Sequence, residues 1–208
     1  MKSSKATRML LRGVLAALML SAVFAASAGA SPAWKFEGEE LKTKETVVGA
    51  AIDSSLTIPG LTTKCENFLY KLTIENVAGV GKGSVTELPL YNCTTNTKNC
   101  TVKSIAAEAL PLAAQAKLVS TTNYIVIEGI KVAILYDGEL CALGGTLAKV
   151  TGTAGGRIDN VAETATFDKA SFAATGTALK ALGSTIEWNG VFPTEAFEGH
   201  RLQALTVS

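Results

Sequence analysis

Phe68-Leu69-Tyr70-Lys71-Leu72-Thr73-Ile74-Glu75 carries an apolar row at every second position. Phe68, Tyr70, Leu72 and Ile74 form that row; Leu69, Lys71, Thr73 and Glu75 form the other. Successive side chains of a strand point to opposite faces, so the stretch reads as a β-strand with one face on a core. The same rhythm returns at Ile130, Val132, Ile134 and Tyr136, at Ile186 and Trp188, and at Trp34 and Phe36. Residues 46–52, 56–58, 84–91, 114–119, 124–128, 145–151, 165–172 and 202–207 are further strand segments.

Turn residues separate them: Pro59-Gly60, Gly79-Val80-Gly81, Asn123, Asp137-Gly138, Gly155-Gly156 and Asn189-Gly190. Pro89 falls inside a strand segment and marks an edge or a bulge, because proline cannot donate to a ladder. The alanine-rich stretch 104–117 has helical propensity, but Pro111 cuts it; residues 105–109 and 112–119 read as extended. Residues 152–156 read as a long mobile loop. Many short strands without helical crossovers predict an all-β fold, an antiparallel β-sandwich or a partly closed β-barrel.

The first thirty residues are of another kind. Lys2, Lys5, Arg8 and Arg12 precede an apolar run from Gly13 to Ala26, and Ala26-Ser27-Ala28 and Ala28-Gly29-Ala30 offer cleavage sites. This is the pattern of a cleavable signal-peptide helix over residues 1–30. It leaves 31–208, 178 of the 208 residues, as a single all-β domain. Of the 19 Lys and Arg, 15 remain against 18 Asp and Glu, a formal charge of −3. No basic block survives, which argues against a nucleic-acid partner. No apolar segment of spanning length remains after cleavage.

Export places the four cysteines, Cys65, Cys93, Cys100 and Cys141, in an oxidising compartment, and an even count there reads as disulfides. Three pairings are open. Cys93 and Cys100 flank the polar loop 94–99, so the favoured pairing is Cys93–Cys100 with Cys65–Cys141 as the remainder. The long link would then stabilise more than the short one, about 4 to 5 against roughly 2 to 3 kcal/mol. A four-cysteine zinc site ranks below this, because no Cys-x-x-Cys knuckle is present.

Chemistry-bearing constellations are sparse. His200, the single histidine, would have to serve any Ser-His-Asp site and reads as a surface residue. A Gly-x-Ser-x-Gly elbow is absent. Gly81-Lys82-Gly83-Ser84 lacks the Lys-Ser/Thr order of a phosphate loop and reads as a hairpin turn. Glu37, Glu39 and Glu40, and Glu195 with Glu198, read as solvated faces rather than paired catalytic carboxylates. Asp137-Gly138-Glu139 and Asp159-Asn160 are too short for a calcium loop. No catalytic residue, metal ligand or cofactor site is therefore assigned. Trp188, beside Asn189-Gly190, is the one possible ligand contact, although a core tryptophan is the stronger reading. An outer-membrane barrel is disfavoured because its strands need lipid-facing apolar bands about ten residues long, and the strands here read as shorter. Asn92-Cys93-Thr94 and Asn99-Cys100-Thr101 match the glycosylation sequon and read as turn chemistry.

The start Pro32-Ala33-Trp34-Lys35-Phe36-Glu37-Gly38, Cys65, the Asn-Cys-Thr pair, Cys141-Ala142-Leu143, Trp188-Asn189-Gly190 and Phe197-Glu198-Gly199 resemble those of a group of exported bacterial four-cysteine all-β proteins of unknown function. That resemblance implies a fold and a compartment, and no activity. The expectation is a secreted or cell-envelope, non-catalytic β domain that binds an unknown extracellular or envelope partner or is structural. A secreted hydrolase of polysaccharide or ester substrates is the alternative.

Overall fold

The computed structural model describes residues 32–198 and 201–208. The signal-peptide expectation for 1–30 and the reading of His200 lie outside the described residues. So do the side chains of Glu195 and Glu198.

The described residues are all-β and antiparallel, with one short helix. Its strands are β1 (Trp34–Phe36), β2 (Glu39–Glu40), β3 (Glu45–Ile58), β4 (Leu61–Val77), β5 (Val80–Glu87), β6 (Leu90–Thr95), β7 (Thr101–Ala107), β8 (Leu112–Val119), β9 (Thr122–Asp137), β10 (Leu147–Asp159), β11 (Thr164–Phe167), β12 (Ala178–Ala181), β13 (Ser184–Pro193), β14 (Glu195–Glu198) and β15 (Arg201–Val207); helix α1 (Lys169–Thr175) lies between β11 and β12.

Four long strands carry the architecture. β3 pairs with β4 along its whole length. The other edge of β4 is shared end to end by β5, along 71–77, and β6, along 63–68. Pro89 stands at the changeover, outside both strands, where its carbonyl accepts from the Leu69 N–H at 3.1 Å. β9 is the mirror case: β8 pairs along 122–127 and β7 along 132–137. β10 takes the far edge of β9, and β11 and β12 share the slot between β10 and β13. β13 then pairs with β3. A walk across the ladders by way of β5 and β8 thus returns to its starting strand.

The alternation in the sequence decides which row is buried. Along β13 every second residue from Ile186 to Phe192 is buried, while Glu187, Asn189 and Val191 are exposed. Ala148 and Val150 of β10 are buried between exposed Lys149 and Thr151. The buried rows meet in one core. The outward positions of these two strands include the charged Glu187 and Lys149, where a lipid-facing barrel carries an apolar band. Strand length is no argument, however: β3, β4, β9 and β10 run 14, 17, 16 and 13 residues, longer than expected. No helix among the described residues is long and apolar enough to cross a membrane.

Two glycines correct the sequence reading of 152–156. That stretch is the middle of β10, not a loop. A Cβ on Gly156 would stand 2.6 Å from the Phe167 ring, and one on Gly155 would stand 2.9 Å from the Thr175 Cβ in α1. The glycines admit a ring on one face and a helix on the other. Asn189-Gly190 is likewise interior to β13, and Gly81 to Ser84 lie in β5 rather than in a turn.

The stretch 165–172, expected as one strand, divides into β11 and α1. Asp168 caps the helix, accepting from the Ser171 N–H at 2.7 Å, and Gly176 closes it with φ 69°. Burial pushes the Asp168 carboxyl up, but the Ser171 N–H and hydroxyl outweigh it and hold the group below its usual range. Phe172, Ser171 and Thr175 are the buried face of α1.

At the end where β4 turns into β5, β8 into β9 and β10 into β11, the terminal strands are tied down by asparagines. Asn76 accepts from the Trp34 N–H at 2.8 Å and donates to the Trp34 and Leu41 carbonyls. Asn123 and Asn160 both donate to the Val207 carbonyl, at 2.9 and 2.6 Å. Trp34, only 1% exposed, donates its indole N–H to the Lys82 carbonyl.

Candidate functional site

The four cysteines pair as Cys65–Cys93 and Cys100–Cys141, and among the described residues no cysteine is free. This overturns the expected Cys93–Cys100 and Cys65–Cys141. The reason is register. Cys65 and Cys93 stand directly opposite each other in the β4–β6 ladder, with Cα atoms 4.0 Å apart. Cys100 immediately precedes β7, which runs along β9, and reaches the loop after β9, where Cys141 lies. The polar loop between Cys93 and Cys100 closes without a disulfide: the Thr95 hydroxyl donates to the Cys100 carbonyl at 2.6 Å, and Asn96 exchanges hydrogen bonds with the Thr62 backbone.

β6 and β7 are therefore a splayed hairpin. Each is stapled to a neighbour, and no ladder joins the two among the described residues. Between them runs a seam, bordered by half-buried Leu88, Leu90, Val102 and Ile105.

Behind the seam is a cavity of about 60 Å³, lined by Leu88, Leu90, Ile105, Val132 and Trp188 among others. A second, the inner cavity, of about 80 Å³, is lined by Trp34, Tyr70, Phe167, Phe192 and Thr194 among others. The two share Phe68, Leu88, Ile130 and Trp188 as walls. Gly129, with φ 71°, sits where the lining row of β9 changes from Ile125 and Ile127 to Ile130, Val132 and Ile134. It keeps both halves of the strand turned toward the hollow.

Trp188 stands where the two cavities meet. It is 8% exposed, so it is not a surface platform, and the core reading of this residue holds. Its ring stacks on Phe167 with centroids 4.5 Å apart and meets Phe192 edge-on at 5.5 Å. Its indole N–H donates to the Ser54 hydroxyl at 2.8 Å. Phe68 joins the cluster edge-on to Phe192 at 5.1 Å. Sequence alternation placed Trp188 inward; that it borders a hollow depends on long-range register.

The polar atoms around the outer cavity serve one another. The Thr63 and Tyr136 hydroxyls are 2.6 Å apart, and the Ser54 hydroxyl is held by Trp188. Burial pushes Tyr136 up, and the bond to Thr63 partly offsets this. In the inner cavity the Tyr70 hydroxyl donates to the Pro193 carbonyl at 3.0 Å, and burial raises its pKa to about 12. Among the described residues, no carboxylate or amine lines either cavity.

The remaining sequence candidates among the described residues do not converge. Asp159 holds the Val161 and Ala162 N–H groups, and Asp137 holds that of Gly138, so both are turn chemistry. The two backbone N–H groups lower the Asp159 pKa. Glu39 and Glu40 are exposed on β2. No cluster of three or more His, Cys, Asp or Glu that could hold a metal occurs among the described residues.

No family model, no curated protein and no solved structure matches this chain.

Proposed function

We propose that the chain is an exported, non-catalytic β domain, built as a partly closed barrel, that works by binding a ligand in its interior. The circuit of ladders supports the barrel, with the β6–β7 seam as its incomplete wall. Two disulfides suit an oxidising compartment outside the cytoplasm. The basic, apolar and Ala-x-Ala pattern of residues 1–30 and the likeness to exported four-cysteine β proteins point the same way.

The observation that carries the binding reading is the pair of adjoining apolar cavities around Trp188. Protein interiors pack like organic crystals, and voids larger than a water molecule are few. Two such voids side by side in one core, behind a seam that no ladder closes, are a departure that apolar occupancy accounts for. Together they approach the ~150 Å³ of a dry apolar cavity that takes up benzene.

Benzene is accordingly the test ligand. The chain has two tryptophans, Trp34 and Trp188, and both line the hollow. Titration of the purified chain with benzene should change tryptophan fluorescence saturably and raise the melting temperature. A linear, non-saturating response would remove the binding reading.

A further inference from the structure

Thr194 lies between β13 and β14, is only 7% exposed, and is one of the residues that line the inner cavity. Its backbone is fixed on both sides: the N–H donates to the Glu163 carbonyl at 2.7 Å, and its carbonyl accepts from the Leu205 N–H at 3.0 Å. Its hydroxyl has no hydrogen-bond partner among the described residues. A buried polar group without a partner is uncommon and costly, because it has lost water and gained nothing. The other such atom, Asn123 Oδ1, lines neither cavity. The residue that carries this unspent hydroxyl lines an otherwise apolar hollow.

We propose that this interior binds an uncharged amphiphile, a hydrocarbon body of about six carbons with one hydroxyl or carbonyl end, held by the Thr194 hydroxyl. The polar end sits at Thr194, and the hydrocarbon runs past Trp188 toward the β6–β7 seam. Thr194 is the residue suited to this, since the other hydroxyls around the two cavities, those of Ser54, Thr63 and Tyr70, are already engaged. The absence of charge follows from the lining. A carboxylate there would be stripped of water with no cation to meet it, and such burial is prohibitive. The body length follows from the two cavities, close in total to one that holds benzene. This inference rests on the reading of the hollow as a binding site and adds the class of ligand and its orientation.

The test compares 1-hexanol, hexanoate and benzene, titrated into the purified chain at pH 7 with tryptophan fluorescence as readout. 1-Hexanol should bind saturably and at least thirtyfold more tightly than hexanoate. Thr194→Val, which keeps the shape and removes the hydroxyl, should weaken 1-hexanol about tenfold and leave benzene within twofold. Thr194→Ser should retain the preference for 1-hexanol. Equal binding of hexanol and hexanoate to the unaltered chain overturns the proposal without any variant. So does an equal loss of hexanol and benzene in Thr194→Val. If benzene itself fails to bind, the binding reading falls first; if benzene binds and hexanol gains nothing from Thr194, only the assignment of ligand class falls.

Discussion

Cys100 is bonded to Cys141, 41 residues further along the chain, and not to Cys93, seven residues before it. The alternative would zip β6 to β7 across the seam. The observed pairing instead ties each lip to the strand or loop beside it, so the disulfides stiffen the wall while leaving the gap. Each is also a long-range link. With separations of 28 and 41 residues, the loop-entropy model gives each about 3.5 to 4 kcal/mol.

The two bonds should then matter almost equally. Replacing Cys65 and Cys93 together by alanine, or Cys100 and Cys141 together, should lower the free energy of unfolding by about 3.5 kcal/mol in either case, measured by urea denaturation. Non-reducing peptide mapping should recover Cys65 joined to Cys93 and Cys100 joined to Cys141. A peptide carrying a Cys93–Cys100 bond would contradict the register of β6 on β4.

The glycine pair in β10 makes a separate test. Gly156→Ala drives a methyl group into the Phe167 ring, which is itself stacked on Trp188 and cannot retreat cheaply. Overpacking of this kind costs typically about 1 to 3 kcal/mol. Gly155→Ala presses on Thr175 of α1. It should lift the helix and increase hydrogen exchange in 169–175 with a smaller global loss. Two neutral substitutions would mean that 152–156 is as loose as its glycines first suggest.

Strand identity was legible in the sequence wherever alternation was clean. Phe68 to Ile74 and Ile186 to Trp188 are legible as strands because a two-residue period needs no tertiary information. Residues 105–109 and 112–119 were also read as extended, as β7 and β8 largely are. Glycine was the main source of error. Gly152 to Gly156 look like a loop until Phe167 and Thr175 are placed against them, and those neighbours come from 11 and 20 residues away. The helix was missed because α1 is only seven residues long and its signal is an Asp168 cap with Gly176 beyond the end. The disulfide pairing and the cavity are illegible in the sequence for the same reason. Proximity in sequence stood in for register, and register is fixed by β4 and β9, the strands that β6 and β7 choose over each other. Thr194 carried no sequence signal, since its isolation depends on what surrounds it.

Ser54 supports the wall between the cavities. Its hydroxyl accepts from the Trp188 indole N–H, and both residues are buried. Ser54→Ala leaves that N–H without a partner in an apolar setting, at a cost of about 1 to 3 kcal/mol. Calorimetry should show the loss, and tryptophan emission should shift as the ring reorients. An unchanged melting temperature would mean that the indole finds another acceptor.

Alkaline pH tests the burial of Tyr70. Its phenol has an ordinary pKa of 10.0 and is pushed up to about 12 by burial, so the folded state holds the proton more tightly than the unfolded one. Stability from this group is complete below pH 10 and declines as pH rises toward 12. By pH 11 the loss is about 1 kcal/mol, and Tyr136, raised in the same direction, adds to it. Tyr70→Phe should cost about 1 kcal/mol at pH 7, through the lost bond to the Pro193 carbonyl, and should flatten the decline between pH 9 and 11. Urea midpoints across that range, for both forms, decide the point. Parallel curves would show that the Tyr70 phenol is hydrated in the folded state and ionises as freely as it does in the unfolded chain.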